Sequence, residues 1–227
     1  MSSPESPFNT IPPVALALVL VIAVIELAFQ LRLMGFVGGQ GVDDWRQMAR
    51  DDWAFAPAVI DVMWERGLYT VDLLKRFVTY AFIHGSFTHA LWATVLLLAM
   101  GKFVGEAYRP LPFLMIFFGS IVEGAVVYGL LASRNFPLIG AYPGIYGLIG
   151  AYTYLMWLTL GRMGENQYRA FTLIGMLMGL MLVYAMLFGS TPWWIAELAG
   201  FVTGLFLAPL VAPGGWRAFL SRLRQRR

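Results

Sequence analysis

The stretch Gly140-Ala-Tyr-Pro-Gly-Ile-Tyr-Gly-Leu-Ile-Gly-Ala-Tyr152 decides how this chain folds. Its glycines stand at 140, 144, 147 and 150, three or four residues apart, so on a helix they share one face. A face without side chains lets a second backbone come close, which is how helices associate in lipid, where apolar side chains gain nothing by leaving the solvent. A matching face lies downstream in Ala196-Glu-Leu-Ala-Gly-Phe-Val-Thr-Gly204, with Gly200 and Gly204 four residues apart. The two segments are expected to touch.

Composition around these segments agrees with a membrane setting. Of 227 residues, 59% are hydrophobic and 13% charged, against about 25% charged in a soluble domain. Disorder, collagen and disulfide scaffolds are excluded, and with no cysteine so are a thiolate nucleophile and a Cys-ligated metal. A formal charge of +3 is too small to imply nucleic acid. Six apolar runs can each form a helix near the roughly 20 residues that cross a bilayer: 13–33, 89–103, 111–131, 142–160, 170–188 and 193–211. The expected fold is an all-α polytopic membrane protein, a single domain over 1–227 with six transmembrane helices.

Charge sets the expected orientation. One set of flanks carries Lys102, Arg109, Arg162, Arg169 and the tail arginines 217, 222, 224, 226 and 227, whereas the opposite short loops carry Arg134 alone. The positive-inside rule then puts both termini in the cytoplasm; the pattern suits a bacterial inner membrane, the location expected from chain size, and an organelle membrane would satisfy the same rule. The basic tail, 212–227, is expected to meet anionic headgroups. The first loop, 34–83, mixes tryptophans with Asp and Arg at near-helical spacing and reads as short amphipathic helices at the interface.

Three strings occur in order: Arg-Phe-Val-Thr-Tyr-Ala-Phe-Ile-His-Gly-Ser-Phe-Thr-His from Arg76 to His89, then the glycine string, then Ala-Glu-Leu-Ala-Gly from Ala196. Together they resemble the rhomboid family of intramembrane serine proteases. The resemblance implies a six-helix core after a membrane-embedded first loop. It matches Arg76 to the family's loop arginine, and His84 and His89 to the pair that opens its second helix. It also implies a serine nucleophile in the fourth helix and a base histidine in the sixth. Aligned on Gly147 and Gly150, the serine position holds Tyr142 and the next one Pro143; aligned on Ala196 and Gly200, the histidine position holds Glu197; the oxyanion asparagine falls on Ala93.

An inventory supports the same reading without alignment. Span four has no serine and no histidine follows His89, yet a serine nucleophile needs a base within about 3 Å. Ser86 beside His84 or His89, and Tyr142 with Glu197, are the remaining pairs. The expectation is therefore a rhomboid-like protein without proteolysis, which binds or stabilises other transmembrane proteins as chaperone, adaptor or accessory subunit. Its contact surfaces are expected at the lateral opening near spans two and five and at the first loop, and span five offers Met176, Met178, Met181 and Met186 with Gly175 and Gly179. Arg76 and the glycines 140, 144, 147, 150, 200 and 204 are the candidate binding and packing positions. An active endopeptidase is the alternative, and an ion or proton transporter a third.

No cofactor or metal is expected, since Glu106 lies some 25 Å of helix beyond His89. Both histidines are expected in capping or loop hydrogen bonds. An uncompensated carboxylate at mid-membrane costs about 2.5–3.5 kcal/mol on insertion scales. Tyr142 and Glu197 are accordingly expected to hydrogen-bond across spans four and six. Glu26 and Glu123 are further intramembrane acids, with no intramembrane base evident to pair with them.

Overall fold

The computed structural model describes residues 11–38, 44–133, 136–189 and 191–212. The basic tail beyond 212 and Arg134 lie outside the described residues. Nine α-helices account for most of what is described, with one isolated antiparallel bridge between Phe55 and Leu138. They are α1 (Pro13–Leu33), α2 (Trp45–Trp53), α3 (Ala58–Arg66), α4 (Val71–Thr79), α5 (Phe87–Ala107), α6 (Pro110–Leu131), α7 (Tyr142–Arg162), α8 (Thr172–Phe188) and α9 (Trp194–Val211).

The starts of these helices are written locally. Proline enters within the first two positions of α1, α6 and α7, where its missing N–H is not needed. Asp44, Thr70 and Ser86 cap α2, α4 and α5 by accepting backbone N–H bonds. Gly67, at φ +63°, ends α3 in the left-handed conformation that favours glycine.

Among the described residues, five helices are long and apolar enough to cross a membrane: α1, α5, α6, α9, and the segment from Gln167 that contains most of α8. The segment expected as a fourth span, α7, is 21 residues long but is not among them. Its glycines and Tyr142, Tyr146, Tyr152 and Tyr154 dilute its hydropathy. What it lacks in apolarity it gains in burial, since every residue from Pro143 to Ala151 is buried. The second span, expected to begin a turn before His89 near Gly85, starts at Phe87 after the Ser86 cap, and a 3-10 turn, Gln167–Phe171, precedes α8.

The core is a triangle of α6, α7 and α9, with α5 against α7 and α1 against α5. The expected contact between the two glycine faces is present. A Cβ on Gly204 would run into the carbonyl oxygen of Gly147, one on Gly200 into that of Pro143, and one on Gly150 into that of Phe201. Helix α8 is the exception to this packing. It touches α7 and the preceding turn, and its window is 11% buried against 28–39% for the other four candidate spans.

The first loop forms the three short helices expected of it, α2, α3 and α4. Phe55 and Leu138 exchange both backbone bonds, at 3.2 and 2.7 Å. The Phe55 ring is fully buried, edge-on to Phe77 at 4.8 Å. The buried Tyr80 hydroxyl donates to the Ile121 carbonyl at 2.8 Å. The loop is thus bonded to the bundle at its base.

This packing separates two kinds of glycine. Gly204→Ala is expected to lower stability in mild detergent by about 1–3 kcal/mol through overpacking. Gly179→Ala, with nothing within 4 Å of the added carbon, is expected to stay within about 0.5 kcal/mol of the parent. Thermal unfolding of the two variants side by side checks both.

Candidate functional site

The residues singled out in the sequence meet where α5, α7 and α9 begin. Ser86 Oγ accepts from the His89 N–H at 3.1 Å, fixing the first turn of α5. His89 Nδ1 accepts in turn from the Gly85 N–H at 3.2 Å. Its ring lies between two others, stacked on Tyr142 with centroids 4.9 Å apart and on Trp193 at 5.6 Å. Gly140 makes room for the stack. At φ +97° it takes a conformation that favours glycine, and a Cβ there would come within 3.0 Å of His89 Cε1.

His84 sits edge-on to His89 at 5.2 Å and is 1% exposed. Its Nε2 accepts from the Ala141 N–H at 3.4 Å, so it ties the end of the first loop to the start of α7. Burial, assisted by the charges of His89 and Arg46, pushes this imidazole down to about 3, so it is neutral. The expected capping or first-loop bonding describes His89, which accepts from Gly85 at the start of α5, whereas His84 bonds across to Ala141.

Tyr142 and Glu197 do not bond to each other. The Tyr142 hydroxyl donates to the His89 carbonyl at 3.2 Å, across α7 and α5. Glu197 is 7% exposed, and its Oε2 is buried without a partner. The expected lock between spans four and six is therefore a lock between α7 and α5. The reason is reach: with its ring stacked on His89, Tyr142 presents its hydroxyl to the backbone of α5. Tyr146, one turn on, donates to Met181 Sδ at 3.4 Å and so meets α8. Ser120, fully buried on α6, also has an unpartnered hydroxyl and faces Gly147.

The remaining candidates have structural surroundings. Ala93, which the resemblance aligns with the oxyanion asparagine, is a fully buried residue of α5. Arg76 donates to the carbonyls of Asp51 and Ala54, at 2.9 and 3.1 Å, and pairs with Asp72 at 3.5 Å, so it braces the first loop. Gly144 packs under Phe117, while Gly147, Gly150, Gly200 and Gly204 are covered by the chain's own backbone and by Ser120. Among the described residues, no group of three or more His, Asp or Glu could hold a metal ion.

One functional contact had no sequence signal. Glu26, 6% exposed in α1, receives both arms of Arg46, at 2.7 and 2.9 Å, from α2. Gln30 donates to the same carboxylate at 2.7 Å, Arg46 also reaches the His84 carbonyl at 2.6 Å, and its guanidinium lies 4.9 Å from the Phe29 ring. The base that seemed missing from the membrane region is a first-loop arginine twenty positions away. Only folding of α2 back onto α1 brings it there.

The glycine-packed triad of helices, the first loop bonded across its base and the two histidines opening α5 agree with a family model. The Rhomboid domain model matches residues 72–214, more than half of the chain. The chain belongs to the rhomboid family. It is accordingly an integral membrane protein with transmembrane helices. None of the curated proteins matches the chain.

Two consequences are measurable. Arg46→Ala strands a buried carboxylate and is expected to cost about 3–5 kcal/mol, with Glu26→Leu/Arg46→Met recovering part of that loss; detergent unfolding of the single and double variants reads both. The unfolded His84 titrates near 6.5 and the folded one near 3, so between these values the unfolded state binds more protons. Stability is expected to fall as pH is lowered from 6.5 toward 3, with a shallower slope in His84→Asn.

Proposed function

We propose that this rhomboid-family protein is proteolytically inactive and recognises other transmembrane proteins, as a chaperone, adaptor or accessory subunit. The observation that carries the reading is the state of the dyad positions. Acyl transfer needs a nucleophile whose proton a base can take at about 3 Å. Here position 142 is a tyrosine whose hydroxyl is spent on a backbone carbonyl. Position 197 is a carboxyl with an orphaned oxygen rather than an imidazole.

The other pairings fare no better. Ser86 is engaged as the cap of α5, and His89 Nδ1 already accepts a backbone bond. Ser120 has no imidazole to activate it, since the chain's two histidines are His84 and His89 and neither bonds it. Pro143 offers no N–H where the family places an oxyanion donor. The stack of Tyr142, His89 and Trp193 fills the mouth of the site with aromatic rings.

Recognition draws on α8. It is the least buried of the long helices. Gly175 and Gly179 have nothing within 4 Å of an added Cβ, and Met176 and Met186 are exposed. A small-residue face beside flexible thioethers suits a visiting helix. In this reading α7 counts as a sixth, central span, both termini are cytoplasmic and the tail arginines meet anionic headgroups, in a bacterial inner membrane. Ion or proton transport has less support, because Glu26 is already neutralised by Arg46.

The test is cleavage of a generic rhomboid transmembrane substrate by the purified chain in mild detergent. No cleavage is expected from the parent, and Tyr142→Phe and Glu197→Gln are expected to behave alike. Cleavage abolished by either substitution would overturn the reading, whereas cleavage that survives both would identify a contaminating protease.

A further inference from the structure

A second surface lies between α6 and α9. A groove of about 480 Å³ is lined by Glu123, Val127 and Leu131 of α6 and by Trp194, Leu198 and Val202 of α9, among others. It follows the two helices from the end marked by Leu131 and Trp194 down to Glu123 and Thr203. Glu123 is exposed and stands eight residues from the end of α6, about 12 Å by helical rise. A half-bilayer of hydrocarbon is about 15 Å deep. The carboxylate thus faces the lipid region near its centre, and no described side chain bonds or pairs with it.

An acid in that position is compensated best by a base at the same depth. A lipid cannot supply one, because its headgroup stays at the surface. Nor can a second copy of this chain. The basic residues of its long helices, Arg32, Lys102 and Arg162, all lie in the last two turns of α1, α5 and α7, and Arg46 is engaged by Glu26. The groove, otherwise apolar, has the shape of a seat for one further helix. The geometry points to the α6–α9 groove as a docking site for a transmembrane helix of another protein that carries a Lys or Arg opposite Glu123. The inference rests on the reading that this protein recognises transmembrane helices, but it places a partner on a face built from different helices than α8.

The full chain, dye-labelled at its N-terminus in phosphatidylcholine vesicles, is titrated with acceptor-labelled polyleucine helices of about 20 residues bearing a central Lys, Gln or Leu. Energy transfer is expected to show the lysine helix binding about three- to fifteenfold more tightly than the leucine helix. Glu123→Gln is expected to erase that preference, and Ala199→Leu, which fills the groove, to weaken the lysine helix while Gly175→Leu does not. Equal binding of the lysine and glutamine or leucine helices, a preference that survives Glu123→Gln, or Glu123-dependent transfer between two labelled copies would overturn the inference. Binding abolished by Gly175→Leu and untouched by Glu123→Gln would overturn it while leaving recognition at α8 intact. Absence of binding at either surface would count against both.

Discussion

The constraint on which this structure depends is the backbone contact between α7 and α9. A Cβ at Gly204 would meet the carbonyl of Gly147, and one at Gly200 that of Pro143, so no side chain fits at either position of α9. This contact draws α7 into the centre of the bundle, because a helix that gives backbone to α9 and to Phe117, Ile121 and Ser120 of α6 is surrounded by protein. A centre surrounded by protein does not need a lipid-facing composition. That is why four tyrosines and four glycines sit in α7 without cost to the fold, and why hydropathy alone misses it as a span.

The same centrality governs the polar groups. In an apolar bundle a hydroxyl or carboxyl is costly unless bonded, and most here are: Tyr80 to Ile121, Tyr108 to Ala208, Tyr142 to His89, and Glu26 to Arg46 and Gln30. Ser120 Oγ and Glu197 Oε2 are the exceptions on the facing helices of the triangle. Glu197 lies one turn before Gly200, on the face of α9 that meets α7, so the helix contact itself carries the carboxyl into the protein. Its burial follows from the glycine register and does not depend on a partner for its oxygens.

How much of this the sequence reveals depends on whether a feature is periodic. The glycine faces, the α-helical spans and the amphipathic first loop are carried by spacing, and the pairing of Gly147 and Gly150 with Gly200 and Gly204 follows from small residues alone. Contacts made by folding back are not periodic. Arg46 reads in sequence as one more charge of an interfacial helix, and nothing nearby marks Glu26 as its partner. Tyr142 misled for a related reason: pairing it with Glu197 considers side chains, whereas the hydroxyl found the main chain of α5. Backbone acceptors outnumber side-chain ones and are invisible to an inventory of residue types.

The scaffold and the chemistry at its mouth are physically separable, and this bears on what such a protein can still do. The glycine contact holds α7 against α9 through atoms at Gly147, Gly150, Gly200 and Gly204, and neither the Tyr142 nor the Glu197 side chain is among those at the closest approach. The Tyr142 ring finds an aromatic neighbour in His89 rather than a void. Helix α8, held by few contacts, lies at the low-stability end of the structure, where local opening is cheapest. Beside the closely packed triangle, α8 leaves Gly175, Met176, Gly179 and Met186 exposed. Nothing in that arrangement requires a nucleophile.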